Sequence, residues 1–187
     1  MSLSTSRLEL VLPAPSDGAR VAAFQRANRQ FLAALEPPRP DGYYHAEFWQ
    51  KRLAELAEAA AGDRQYGYFV QLQPAVDPAA PLVGWINFAN IVRGAFQACH
   101  LGYHLSERSE GHGYMTEALR AGIDHMFTAK NLHRIMANYV PTNHRSERVL
   151  TRLGFEREGN AKNYLYLGGA WRDHVLTSLT NPAWRAP

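Results

Sequence analysis

A short loop with two glycines, "RSEGHG" at residues 108–113, constrains the fold of this chain most strongly. The run before it, "QACHLGYHL", is typical of a half-buried strand, and residues 114–130 repeat apolar side chains at helical spacing. Glycine raises the entropic cost of ordering the backbone, so it is favoured where the backbone approaches another group closely or adopts a positive φ. Because a helix also begins with free N–H groups and the positive end of its dipole, the pattern predicts a strand–loop–helix unit that binds an anion.

Length and composition limit the class of protein. The 187 residues favour a single domain over residues 1–187, with a core over about 6–180. A net charge of +3 is too small to indicate a nucleic-acid-binding surface. Cys99 is the only cysteine, which excludes an intrachain disulfide and a thiolate metal cage. The first residues lack an apolar signal segment and no apolar run is long enough to span a membrane, so we expect a cytoplasmic protein.

Hydrophobic periodicity and turn signals predict the element order β-α-α-β-β-β-α-β-α-β-β. The predicted strands cover residues 6–13, 66–73, 82–92, 97–105, 133–140, 163–167 and 170–179, and the predicted helices cover about 17–35, 45–61, 114–130 and 143–154. Residues 36–42, "EPPRPDG", form a stiff proline-rich break, and residues 74–81, "PAVDPAAP", are expected to be a surface hairpin loop.

Five segments carry a resemblance to a known family. "RSEGHG" matches the Arg/Gln-x-x-Gly-x-Gly/Ala loop of the Gcn5-related N-acetyltransferases (GNAT). The segment "HRIMANYVPTNHRSERVLTRLGFEREG", which begins at His133, resembles the second segment of that superfamily. The stretches "RQFLAALEP", "VRGAFQACHLGYHL" and "GGAWRDHVLTSLT" are similar to the RimJ/RimL-type branch, which acetylates N-terminal alanines of ribosomal proteins, and to the RimJ type most closely. The likeness extends from about Ser6 to Trp184.

The resemblance implies an α/β GNAT fold. In that fold a mixed, mostly antiparallel sheet of about seven strands is flanked by about four helices, and its fourth and fifth strands splay apart. Acetyl-CoA, the cosubstrate, would lie in the splay, where unpaired backbone groups can bind its pantetheine arm, and its diphosphate would reach the glycine loop. The residues implied to contact the cofactor are Tyr103, His104, Leu105, Arg108, Ser109, Glu110, Gly111, His112, Gly113, Tyr114, Met115, Asn138, Asn143, Arg145 and Ser146. Backbone N–H groups of residues 103–105 are the candidate oxyanion donors.

Ser146 is the candidate acid that protonates the departing thiolate, by likeness to the serine of the family's Asn-x-x-Ser step at Asn143. The alternative interpretation is a serine in the first turn of a helix capped by Asn143, a position where serine is common. Asn143 can cap the helix and also bond the pantetheine arm.

The general base is less well defined. Related enzymes place a glutamate where this chain has Leu165, so Glu36 is our first candidate for the base and Asp173 the second. Each also has an ordinary interpretation, as a solvated loop carboxylate and as the partner of a surface cation. An α-amino group has a pKa of about 7.7–8.0, so a modest base, or a water chain to bulk solvent, would suffice.

For other aromatic and polar side chains near these positions, core packing is the preferred interpretation. They are His100, His104, Cys99, Trp85, Phe88 and Tyr103. The alternative interpretation is that one of the three aromatic side chains lines the substrate tunnel. The sequence has no His-x-x-x-His or carboxylate cluster that indicates a metal site.

Three functions remain open from the sequence. The first is transfer of acetyl from acetyl-CoA to the N-terminal alanine of a ribosomal protein, by an enzyme that is a monomer or a homodimer. The second is acetylation of another protein N-terminus or a small amine. The third, from a different class, is a non-catalytic module that binds the ribosome or nucleic acid, which the mixed charges and the intact glycine loop disfavour. A dinucleotide site does not fit, because the loop lacks Gly-x-Gly-x-x-Gly and follows three strands.

Overall fold

The fold is an eight-stranded mixed sheet with helices on both faces. The structure is a computed structural model that describes residues 2–73 and 82–186. The strands are β1 (Ser2–Ser4), β2 (Leu8–Val11), β3 (Tyr66–Leu72), β4 (Leu82–Val92), β5 (Ala98–Leu105), β6 (Arg134–Met136), β7 (Glu156–Leu167) and β8 (Ala170–Thr180). The helices are α1 (Gly18–Ala27), α2 (Arg29–Leu32), α3 (Ala46–Ala61), α4 (Tyr114–Thr128) and α5 (His144–Arg152). The hairpin loop predicted for residues 74–81 lies outside the described residues.

The sheet order is β1-β2-β3-β4-β5-β6-β8-β7, in which only β5 and β6 run parallel. The α/β class and the mostly antiparallel sheet are therefore confirmed. The predicted count of about seven strands is one too low, because β1 is a three-residue edge strand too short to show an alternating pattern. The last hairpin is confirmed, but β7 begins at Glu156, earlier than the predicted residue 163.

The predicted helix over residues 17–35 is divided at Asn28, which separates α1 from the four-residue α2 and raises the number of helices from the predicted four to five. The Asn28 side chain donates to the Phe24 carbonyl at 2.9 Å and accepts from the Glu107 N–H at 3.1 Å. Because this second partner comes from a distant loop, the break is set by tertiary contacts. It ties the first helical segment to the loop that follows β5.

The predicted splay lies between β5 and β6. These strands pair from Ala98 with Arg134 to His100 with Met136, and β5 then continues alone on that side to Leu105. After Met136 the chain turns towards β8, where the Ala137 N–H donates to the Thr177 carbonyl at 3.0 Å. The predicted strand over residues 133–140 is therefore wrong in length, since regular pairing ends where the two strands diverge.

Two apolar clusters cover the two faces of the sheet. One packs α4 against the central strands, and Gly122 allows close contact there, since a Cβ at Gly122 would lie 3.0 Å from Ile86 and Phe88. The other packs α1 and α3 through Val21 and Leu53 against the opposite face. Within the described ranges, no helix is long and apolar enough to cross a membrane.

Candidate active site

The glycine loop adopts the predicted strand–loop–helix arrangement. A 3-10 turn over Glu107–Ser109 follows β5, and Gly111 and Gly113 have φ values of 80° and 78°. A side chain rarely adopts such a φ, so glycine is required here by the backbone. Gly113 is the residue before α4, whose first N–H groups have no partner within the helix. The loop thus presents amide donors and the positive end of a 15-residue helix at one point.

Side chains of this loop are held by neighbouring groups. Ser109 is buried, and its hydroxyl lies 2.6 Å from the Ser106 hydroxyl. The His112 ring stacks on Tyr114, while Arg108 is exposed. Met115 is 5% exposed, so only its backbone is available to a ligand.

A cavity of about 470 Å³ extends from the α1–α3 face of β5 to the splay between β5 and β6. It brings together six of the predicted site residues: Glu36, Tyr103, His104, Asn138, Asn143 and Ser146. Gly102 also lines it, and a Cβ at Gly102 would meet no atom within 4 Å. The cavity therefore connects the predicted thioester position with the predicted acceptor position.

Two hydroxyl groups meet across the splay. The Tyr103 Oη on β5 lies 2.5 Å from the Ser146 Oγ on α5. The Asn143 side chain caps α5 by accepting from the Ser146 N–H at 3.1 Å, which fixes the first turn that carries Ser146. Burial raises the pKa of Tyr103 to about 12, so this pair remains protonated at neutral pH. The arrangement supplies protons at the mouth of the splay.

A second polar group lies on the other side of the cavity. Glu36 forms an ion pair with Arg39, and the Glu36 Oε1 lies 3.9 Å from the His104 Nδ1. Burial, and then the positive charge of Arg39, lowers the pKa of His104 to about 4, so the imidazole is neutral at pH 7. The His104 ring stacks on Phe24 with centroids 5.8 Å apart. This end of the cavity holds the Glu36–Arg39 ion pair beside a neutral imidazole.

The Glu36 end of the cavity is held in place by the last hairpin. The Gly168 N–H, at the β7–β8 turn, donates to the Glu36 carbonyl at 3.0 Å. A Cβ at Gly168 would lie 3.0 Å from the Ala34 carbonyl oxygen, and the φ of Gly168 is 57°. The proline-rich break and the hairpin are therefore packed against each other through a glycine.

The side chains of three predicted cofactor residues are engaged within the chain. Arg145 on α5 forms a 2.6 Å ion pair with Glu110 of the glycine loop, across the mouth of the splay. The Asn138 side chain accepts from the Thr177 N–H at 3.2 Å. The Leu105 side chain packs against the core, which leaves its backbone for ligand binding.

Of the two candidates for the base, Glu36 lines the cavity and Asp173 does not. Leu165 lines the cavity but carries no titratable group. The exposed Asp173 accepts from the Asn163 N–H at 2.8 Å, where β7 has an irregular register and Asn163 has a φ of 48°. Asp173 is not among the residues that line this cavity, and its contact is with the hairpin backbone.

Sequence reasoning missed three features of the site. The first two are the Tyr103–Ser146 hydroxyl pair and the Glu36–Arg39 ion pair, contacts that no sequence pattern predicted. The third is Arg7, whose Nη1 donates to the His112 carbonyl at 3.0 Å. Arg7 lies in the bend between β1 and β2, where an arginine carries no sequence signal for this contact. Among the described residues, no group of three or more His, Cys, Asp or Glu could hold a metal ion.

Comparison with known proteins agrees with this geometry. Residues 7–156 match the model of the acetyltransferase (GNAT) domain family. The chain is 44% identical over 182 residues to ribosomal protein uS5-alanine N-acetyltransferase of Escherichia coli, covering 97% of this chain and 92% of that protein. It is also 35% identical to the probable N-acetyltransferase YjcK of Bacillus subtilis, over 89% of this chain and 90% of that one.

Solved structures show the same fold. The ribosomal-protein-S5-alanine acetyltransferase of Vibrio fischeri superposes with a TM-score of 0.93 and 38% identity, with 100% of both chains covered. RimJ of Mycobacterium smegmatis, solved in complex with CoA-disulfide, gives a TM-score of 0.85 and 31% identity, over 92% of this chain and 81% of that one. The glycine loop, the splayed strands and these similarities over most of the sequence lead to one conclusion: the chain belongs to the GNAT acetyltransferase family.

Proposed function

We propose that this protein transfers the acetyl group of acetyl-CoA to the N-terminal alanine amine of a ribosomal protein, in the cytoplasm and through one domain formed by residues 1–187. The observation that carries the proposal is that one continuous cavity connects the Tyr103–Ser146 hydroxyl pair with Glu36. The substrate assignment is supported by the 44% identity to the E. coli enzyme, whose name specifies the alanine of uS5.

The chain's residues fit a CoA thioester. The amides around Gly111 and Gly113 and in the first turn of α4 suit a diphosphate. The diverging β5 and β6 expose backbone groups that suit an amide-rich arm. CoA is present in the M. smegmatis RimJ structure. When bound, acetyl-CoA supplies an activated acyl group on a thiol that leaves readily.

Each end of the cavity then has a separate task. Glu36 accepts a hydrogen bond from the acceptor amine through Oε1, the oxygen beside the neutral His104, while its Oε2 pairs with Arg39. Residues 103–105 offer backbone N–H groups to the carbonyl oxygen. As the amine bonds to the thioester carbonyl carbon and the C–S bond breaks, Ser146 gives its proton to the departing sulfur, and the Tyr103 hydroxyl, 2.5 Å away, replaces that proton. The proton that the amine loses on becoming an amide returns to Tyr103 through solvent in the cavity, so the step leaves both hydroxyls protonated. Because an α-amine is neutral in a useful fraction near pH 7.5, a strongly basic side chain is not required.

The test is release of free thiol from acetyl-CoA with peptides that begin with Ala, Ser, Met or Asp and are otherwise identical. A peptide with a blocked α-amine and an internal lysine is the matched control. We expect the fastest thiol release with the alanine peptide and none with the blocked peptide. Equal rates with all four peptides, or a preference for the lysine, would favour another N-terminus or a small amine as the acceptor and contradict the proposal.

A further inference from the structure

A segment far away in sequence holds the first turn of α4. Residues 5–7, which we call the N-terminal clasp, make four hydrogen bonds to the carboxylate of Glu117. The donors are the Thr5 and Ser6 hydroxyls, the Arg7 N–H and the Arg7 Nε, at 2.6, 3.1, 3.0 and 2.7 Å. One carboxylate in the first turn is therefore almost completely occupied by the chain's own first residues.

The same guanidinium also reaches the glycine loop. The Arg7 Nη1 donates to the His112 carbonyl at 3.0 Å, and the guanidinium lies 4.9 Å from the centre of the Tyr114 ring. These two contacts flank Gly113, whose φ of 78° sets the turn into α4. Arg7 thus joins the residue before Gly113 to the residue after it, while its Nε and Nη2 hold Glu117.

Charge explains why such a clasp is useful at this place. A carboxylate at the beginning of α4 would repel a diphosphate bound at the same helix end. Burial alone would raise the pKa of Glu117, but hydrogen bonds from Thr5, Arg7 and Ser6 outweigh it and lower the pKa to about 2. Glu117 is therefore ionised at neutral pH, and the 2.6 Å ion pair with Arg7 compensates its charge.

We propose that Arg7 is a positioning residue for CoA: it holds the His112 carbonyl and neutralises Glu117, so that the amides of the glycine loop and the beginning of α4 accept the diphosphate. This inference rests on the proposed function, because it assigns a role to Arg7 at the same cofactor site. It concerns cofactor affinity and leaves the chemistry at Ser146 and Glu36 unchanged.

The experiment measures CoA binding by calorimetry to wild-type protein, Arg7→Ala and Arg7→Lys, together with kcat and KM for acetyl-CoA. We expect Arg7→Ala to weaken CoA binding roughly 10- to 100-fold, the usual range for losing a hydrogen bond to a charged group. The KM for acetyl-CoA should rise by a similar factor with kcat nearly unchanged. Arg7→Lys should lie between the two, because lysine keeps the charge but loses the forked geometry.

Arg93→Ala is the matched control, because Arg93 makes the same kinds of contact at the other end of α4. Its guanidinium pairs with Asp63 and donates to the Lys130 carbonyl at 2.8 Å. We expect Arg93→Ala to lower stability without weakening CoA binding. A CoA dissociation constant for Arg7→Ala within twofold of wild type would overturn the inference. If Arg7→Ala does not fold, the same criterion applies to the CoA dissociation constant of Arg7→Lys. Failure of the wild-type protein to bind CoA would overturn the proposed function itself.

Discussion

Ser146 and Tyr103 are the residues on which the proposed chemistry depends most directly. The Ser146 hydroxyl alone is a weak acid, and its 2.5 Å contact with the Tyr103 hydroxyl gives it a second proton source. A positioned acid of this kind contributes on the order of 10²- to 10⁴-fold to the rate. Since both hydroxyls serve one proton transfer, their effects should not add.

We therefore expect Ser146→Ala to lower kcat on the order of 100-fold, within the range for an acid–base group, and Tyr103→Phe to lower it less. The double variant should be no slower than Ser146→Ala by more than a small factor. CoA affinity should stay close to wild type in all three proteins. The measurement is steady-state thiol release with calorimetry in parallel, and multiplicative losses in the double variant would show that the two hydroxyls act separately.

At the scale of elements, the glycine loop and α4 were predictable because their signals are local. Glycines at positive φ and an apolar stripe lie next to each other in sequence, and both predictions are confirmed. The division of the first helix at Asn28 was not predictable, because it depends on the Glu107 N–H, 79 positions away. The shortness of β6 likewise follows from the splay, and the sequence of residues 133–140 does not predict where the two strands diverge.

The site shows the same division between local and distant information. The Asn-x-x-Ser step correctly placed a capping asparagine at Asn143, because a cap acts within one turn. The contact of Arg7 with Glu117 joins residues 110 positions apart, so periodicity and spacing contain no trace of it. His104 looked like a core residue because strand patterns report burial, and its neighbour Glu36 comes from a separate loop.

Strand β5 offers a test of the cavity that does not touch a polar group. Gly102 is exposed, lines the cavity and has open space around the position of a Cβ. A valine there should fill the acceptor channel with little cost in stability, because β-branched residues suit a strand. We expect Gly102→Val to lower kcat/KM for the peptide about 10-fold or more, the scale of roughly 1.4 kcal/mol.

Gly159 on β7 provides the control for this substitution. A Cβ there also meets no atom within 4 Å, but Gly159 is not among the residues that line the cavity. Gly159→Val should keep wild-type kinetics, and both variants should unfold within a few degrees of the wild-type protein. Wild-type kcat/KM in Gly102→Val would mean that the acceptor does not pass over this part of β5.

At the scale of the whole molecule, the N-terminal clasp fastens the first residues to α4 and thereby to the main core. The pKa of Glu117 is lowered to about 2 from its ordinary value of 4.5, so Glu117 stays ionised well into the acidic range. A group with a lowered pKa in the folded state stabilises the protein above its unfolded pKa, and that stability disappears as the pH falls towards its folded pKa.

Glu117→Gln should therefore lower the free energy of unfolding by about 2 kcal/mol at pH 7, an estimate from the pKa difference reduced for partial exposure. The difference from wild type should shrink as the pH falls from about 4.5 towards 2. Chemical denaturation of both proteins across this pH range measures it. A difference that stays constant with pH would show that the Glu117 charge is not what the clasp recognises.

The most direct test of the central claim is to locate the acetyl group on the product. The wild-type protein is incubated with acetyl-CoA and the alanine peptide, which also carries an internal lysine, and the product is sequenced by tandem mass spectrometry. The proposed function predicts one acetyl group on the α-amine of the alanine, with the lysine unmodified. An acetyl group on the lysine, or none on either amine while CoA still binds, would contradict it.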